Sequence, residues 1–188
     1  MADQTFAAAI VPYLMNMINN VEGGYSDNPS DSGGPTIWGI TETEARAHGY
    51  TGDMHDLSQS FALSIYTTRY VSDPRFDLIG AIDCAIGLKL VDTGVNMGPS
   101  QSAMFLQRAL NVLGMQGQLY PKLTVDGSAA TLTRGALTAF ITKRGSDGRK
   151  VLLNMLRAQQ SVDYMTIAEA NPTQETFEYG WQLNRSFA

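Results

Sequence analysis

Glu22, Asp31 and Thr36 are two carboxylates and a hydroxyl set on a glycine-rich stretch, the acids nine positions apart and the threonine five further on. Such a set suits glycosidic hydrolysis by inversion. One carboxylic acid protonates the leaving oxygen, and the other carboxylate handles a water on the opposite face of the sugar. Thr41 is a second candidate for the hydroxyl. Tyr25 and Trp38 flank the acids and are candidate sugar platforms, because the CH-rich face of a pyranose packs on an aromatic ring. Trp38 also suits a core position beside Ile37 and Ile40.

The elements around these residues follow from apolar spacing. Phe6, Ile10, Tyr13, Leu14, Met17, Ile18 and Val21 recur at three- and four-residue steps, which predicts an amphipathic helix. Gly23 and Gly24 are expected to end it, since glycine accepts the left-handed backbone of a helix stop. Glu22 then falls on the last turn, where the negative helix end and an apolar neighbour both favour the protonated acid. Tyr25 to Gly34 reads as turn, rich in Ser, Asp, Asn, Pro and Gly. In such a loop an aspartate serves equally as a turn former.

Several blocks resemble the N-acetylmuramidases of glycoside hydrolase family 108. They are Glu22-Gly-Gly-Tyr, Pro29-x-Asp31-x-Gly-Gly, Thr36-x-Trp-Gly-Ile-Thr, Ala45-Arg-Ala-His-Gly-Tyr50 and Gly52-Asp-Met54. The likeness continues through Val91-Asp-Thr-Gly-Val-Asn-Met-Gly98, Leu106-Gln-Arg-Ala-Leu110, Val125-Asp-Gly127 and Phe177-Glu-Tyr-Gly-Trp-Gln-Leu-Asn-Arg185. The family comprises phage and prophage endolysins and muramidases that assist toxin release. The resemblance implies a lysozyme-type cut of the β-1,4 bond between N-acetylmuramic acid and N-acetylglucosamine, with Glu22 as the acid. The broader likeness to phage lysozymes, which order Glu, Asp and Thr similarly, suggests Asp31 and Thr36 as its partners. This chain has one residue fewer between them than is usual there. Tyr70-Val71 departs from the Tyr-Trp of many members. Asn96, in the family-like stretch, is a candidate contact for an acetamido group, or a turn former.

Helix signals continue after Gly94 to Gln101, where glycine and proline break the apolar rhythm. Ser100 is a candidate cap for a helix to Leu113. Others are expected over about 130–144, 147–170 and a last one presenting Phe177 and Trp181. The expected fold is mainly α: a lysozyme-like catalytic lobe (1–95), with a loop or small β-hairpin after its first helix, and a helical C-terminal lobe (96–188). The pattern from Leu106-Gln107 to Asp126-Gly127 and Phe140 resembles a small peptidoglycan-binding module. Its alternative is a lobe that only packs the fold.

Charge divides along the same line. Residues 1–95 hold 4 basic and 12 acidic side chains, net −8, and residues 96–188 hold 9 and 6, net +3, which together make the overall −5. The basic half suits an anionic wall polymer. Peptidoglycan is the expected partner, with no nucleic acid and no membrane insertion, and the chain is expected to act as a monomer. The apolar run from Phe6 to Ile18 is too short to span a bilayer, and no basic segment precedes it as in a signal peptide. Cytoplasmic synthesis in a bacterial host and action on the wall after release are therefore expected. Cys84 is the single cysteine, expected as a buried structural thiol. His48 and His55 are the only histidines, too few for a His/Cys zinc site, and no cofactor is implied. A lytic transglycosylase and a non-catalytic wall-binding or secretion-accessory protein are the alternative functions.

Overall fold

A computed structural model describes residues 5–19, 24–27 and 33–186. The first helix, α1 (Phe6–Asn19), buries Phe6, Ile10, Leu14 and Ile18, the stripe expected from their spacing. Pro12 lies inside it without ending it. A small antiparallel hairpin follows, β1 (Thr36–Ile37) paired with β2 (Ile40–Thr41) in the register Thr36 to Thr41 and Ile37 to Ile40. Its turn places Trp38 at φ 56° and Gly39 at φ 74°, a left-handed pair that suits a tight hairpin.

Helices α2 (Glu42–Ala47), α3 (Gln59–Thr67), α4 (Phe76–Ile82) and α5 (Cys84–Met97) complete the N-terminal half. Helices α6 (Pro99–Leu113), α7 (Thr131–Ala170) and α8 (Glu175–Trp181) form the C-terminal half. The fold is mainly α with one small hairpin. Among the described residues, no helix is long and apolar enough to cross a membrane.

Sequence signals at the helix ends hold with one change. Gly98, at φ 88°, separates α5 from α6, and Pro99 takes the first position of α6 in place of a Ser100 cap. Proline suits that position because its missing N–H has no helical partner there and its φ is already helical. The two helices expected over 130–170 are both present within α7, divided at Gly145, whose φ of 56° and ψ of −143° are non-helical, where a helix end was expected.

One apolar cluster crosses both halves. It joins Leu14 and Ile18 of α1, Ile86 and Leu90 of α5, Phe105 and Leu110 of α6, and Leu137 and Leu152 of α7. Polar ties follow the same path. The fully buried carboxylate of Asp83 accepts the Ile86 N–H at 3.2 Å as the cap of α5, and pairs with Arg149 of α7. Cys84, beside it, is only half-buried, a correction to the buried thiol expected. As the first residue of α5 it packs against the edge of the apolar cluster, while Ile86, Gly87 and Leu90 supply the buried face.

Candidate active site

Glu22 and Asp31 lie outside the described residues. The geometry around them begins at Tyr25 and at the hairpin. Ser26 forms a bridge with Thr36: the Ser26 N–H donates to the Thr36 carbonyl at 2.8 Å, and the Thr36 N–H returns to Ser26 at 2.7 Å. The chain four residues after Glu22 is therefore laid against β1, the strand that carries Thr36. This pairing needs extended backbone at both residues, and Ser26 has it because the helix has already ended.

Thr36 is half-buried, with its hydroxyl donating to the Gly34 carbonyl at a long 3.3 Å. Thr41 is committed elsewhere: its hydroxyl oxygen accepts the Glu44 N–H at 3.2 Å and caps α2. Trp38 packs against the core, and its indole N–H donates to the Leu57 carbonyl at 2.9 Å. The Tyr66 hydroxyl in turn donates to the Trp38 carbonyl at 3.4 Å. Asn96 sits on the last turn of α5, exposed, with its amide donating to the Asp92 carbonyl at 2.7 Å. Thr36, Thr41, Trp38 and Tyr25 thus share the hairpin and its border, whereas Asn96 belongs to a separate element.

Tyr25 stacks on His55, with ring centroids 3.5 Å apart and planes 21° from parallel. Partial burial, and then the negative charges of Asp27, Asp53 and Glu42, hold its phenol above the ordinary range. It stays neutral at working pH and offers an apolar face with a hydroxyl tip. In the sequence His55 is one of only two histidines, too few for a zinc site, and no site role was expected of it. Its place in the family-like Gly52-Asp-Met54 neighbourhood was the signal that it borders the site. Arg46 fixes that neighbourhood, donating to the carbonyls of Tyr50 at 2.9 Å and Gly52 at 2.7 Å and pairing with Glu42 at 2.7 Å. Among the described residues, no group of three His, Cys, Asp or Glu side chains could hold a metal.

The end of α1 is pinned by a side-chain bond from Gln59 of α3 to Asn19 at 2.9 Å. Beneath it, Tyr13 of α1 donates to Asp92 of α5. Burial first, then the negative charge of Asp92 and this bond to it, push the Tyr13 phenol well above its ordinary value. Asp92 also accepts from Lys89 at 3.0 Å and faces Arg185 at 3.6 Å, while Lys89 donates to the Arg185 carbonyl at 2.7 Å. This cluster couples the C-terminal segment to the helix that leads to Glu22. Neither Lys89 nor Asp92 stood out in the sequence, because each reads as an ordinary surface charge.

Residues 15–98 match the model of glycosyl hydrolase 108, and residues 101–186 match that of a predicted peptidoglycan domain. No curated protein gives a significant match. Among solved structures the chain resembles SagA of Brucella abortus, with a TM-score of 0.53 and 21% identity over 97% of this chain and 96% of that one. At that identity the likeness concerns the fold. The N-terminal match spans the hairpin, Tyr25, His55 and Asn96, and the C-terminal match begins two residues into α6. The N-terminal half thus resembles the glycosyl hydrolase 108 family and the C-terminal half a predicted peptidoglycan domain, and together these matches support a glycoside hydrolase that acts on peptidoglycan.

Proposed function

We propose that the protein is an endolysin-type lysozyme that hydrolyses the β-1,4 bond between N-acetylmuramic acid and N-acetylglucosamine. The observation that carries this reading is the family match over residues 15–98, which includes Glu22, Asp31 and Thr36 in one stretch beside the Ser26–Thr36 bridge. Glu22 protonates the glycosidic oxygen as the bond to the anomeric carbon breaks. Water forms the new bond to that carbon and gives its proton to Asp31, or Asp31 stabilises the oxocarbenium-like transition state. Thr36 places the water. Its hydroxyl suits that work better than that of Thr41, which is occupied by the α2 cap. Tyr25 and Trp38 border the sugar path, and Asn96 is the more remote acetamido contact.

Glu22→Gln tests the assignment on purified peptidoglycan. The expected result is a folded protein with a rate reduced by roughly 100-fold or more, the usual scale of a lost general acid. A rate equal to that of the unmodified chain refutes Glu22 as the acid. Mass spectrometry of the products separates hydrolysis from transglycosylation, since anhydromuramyl ends lack one water.

A further inference from the structure

Gly23 and Gly24 separate Glu22 from Tyr25, and glycine constrains its own backbone least of any residue. The direction in which Glu22 is presented therefore depends on what holds the chain on either side of that pair. Before it, Gln59 of α3 holds Asn19. After it, the chain meets the Ser26–Thr36 bridge and the ring of His55, which lies on Tyr25. We propose that His55 is a positioning residue for the reaction, acting through its stack on Tyr25 to hold the segment that presents Glu22. The proposal rests on the muramidase reading with Glu22 as the acid, and adds to it a side chain from outside the hairpin.

Three observations carry it. The first is the contact. Ring centroids 3.5 Å apart with planes 21° from parallel set the two rings face to face, closer than an offset or edge-on pair. Tyr25 is half-buried and His55 exposed, so the imidazole stands on the solvent side of the pair.

The second is the stiffness of what carries His55. It is the middle residue of a single helical turn, Met54–Asp56, whose cap Asp53 accepts the His55 N–H at 2.9 Å. Met54 and Leu57, on either side, are buried in the core. The Leu57 carbonyl receives the Trp38 indole at 2.9 Å, and the Tyr50 hydroxyl donates to the Asp53 carbonyl at 2.8 Å. The backbone of His55 is thus tied to the hairpin and the core, which makes its ring a fixed surface for Tyr25. A surface ordered in advance loses little freedom when it restrains another group.

The third is reach. Three residues of chain span at most about 11 Å, so a fixed Tyr25 limits how far Glu22 can lie from it. Rates are steep in such placement, and a displacement of about 1 Å costs on the order of 100-fold. A stack that prevents part of that displacement carries a measurable share of the rate.

His55→Ala, His55→Phe, Tyr25→Ala and the double variant His55→Ala/Tyr25→Ala are compared in the full chain on soluble peptidoglycan fragments, with kcat, KM and Tm measured for each. His55→Ala is expected to lower kcat about tenfold, to change KM by less than about twofold and to leave Tm within about 2 °C, since an exposed ring adds little to the core. His55→Phe keeps a flat ring without the imidazole nitrogens, and is expected to restore kcat to within about twofold of the unmodified chain. Where Tyr25 is already alanine, His55→Ala should cost nothing further, because the two rings act as one unit. An unaltered kcat in His55→Ala overturns the proposal, and so does a loss confined to KM, which marks a sugar contact. A His55→Phe chain as slow as His55→Ala overturns it too, since the imidazole nitrogens would then be doing the work. Additive losses in the double variant show that His55 acts without Tyr25, with the same consequence. Glu22→Gln at the full rate removes Glu22 as the acid and this proposal with it. An inactive Glu22→Gln beside a fully active His55→Ala removes the His55 assignment alone.

Discussion

Replacing Gln107 with leucine decides whether the Leu106-Gln107 to Asp126-Gly127 pattern holds the fold or a ligand. Gln107 is 1% exposed on α6. Its amide donates to Asp126 Oδ1 at 2.7 Å and to the Ser128 carbonyl at 3.0 Å, and its oxygen accepts the N–H groups of Asp126 and Gly127, each at 3.0 Å. Three neutral bonds are worth about 1 kcal/mol each, and the bond to the solvent-exposed Asp126 carboxylate adds to them only weakly because water screens it. The turn stands at the surface, so water restores part of that, and buried leucine adds apolar transfer energy. The net loss expected is about 2–4 kcal/mol. Urea unfolding followed by circular dichroism at pH 7 and pH 3 measures it, alongside sedimentation with purified wall. The Asp126 carboxyl is held below its usual range, first by Gln107, so this stabilisation is present at neutral pH and declines as pH falls below the ordinary carboxylate range. At pH 3 the variant should therefore lie closer to the parent than at pH 7. A stability change below about 0.5 kcal/mol at pH 7 with loss of wall binding would refute the structural reasoning, because four lost bonds must register.

Deleting residues 96–188 should leave an unfolded remnant, since the apolar cluster runs from α1 through α7 and Asp83 loses Arg149. A soluble, cooperatively melting remnant on calorimetry would show that the N-terminal half folds alone. At high pH the buried phenols take over. Burial raises Tyr120 and Tyr164 to about 12 from an ordinary value near 10, so stability is complete below pH 10 and is lost as pH rises toward 12. Absorbance at 295 nm should show these tyrosines ionising only as the chain unfolds, and smooth titration near pH 10 in the folded protein would contradict their burial.

The order of elements was legible because each depends on local rules. The α1 stripe, the Gly98–Pro99 break and the aromatic step from Phe177 to Trp181 are all contacts within a few turns of chain. The hairpin beginning at Thr36 was open between loop and strand, since two-residue strands show too little alternation to distinguish them. That choice depends on what packs against the segment. Gly145, by contrast, marked the division of α7 where a helix end was expected.

At the site, the sequence by itself determined which residues have the chemistry: Glu22 and Asp31 as acids, Thr36 or Thr41 as hydroxyl, Tyr25 and Trp38 as rings. Only the tertiary structure decided how hydroxyls and rings are employed. It ties Thr41 to a helix cap, anchors the Trp38 indole on Leu57, and places His55 against Tyr25. It also gathers Tyr13, Lys89, Asp92 and Arg185 from positions up to 172 apart in number into one cluster. Hydrogen bonds and ion pairs act over a few ångströms and are indifferent to chain separation, so such groupings are invisible until the helices are packed.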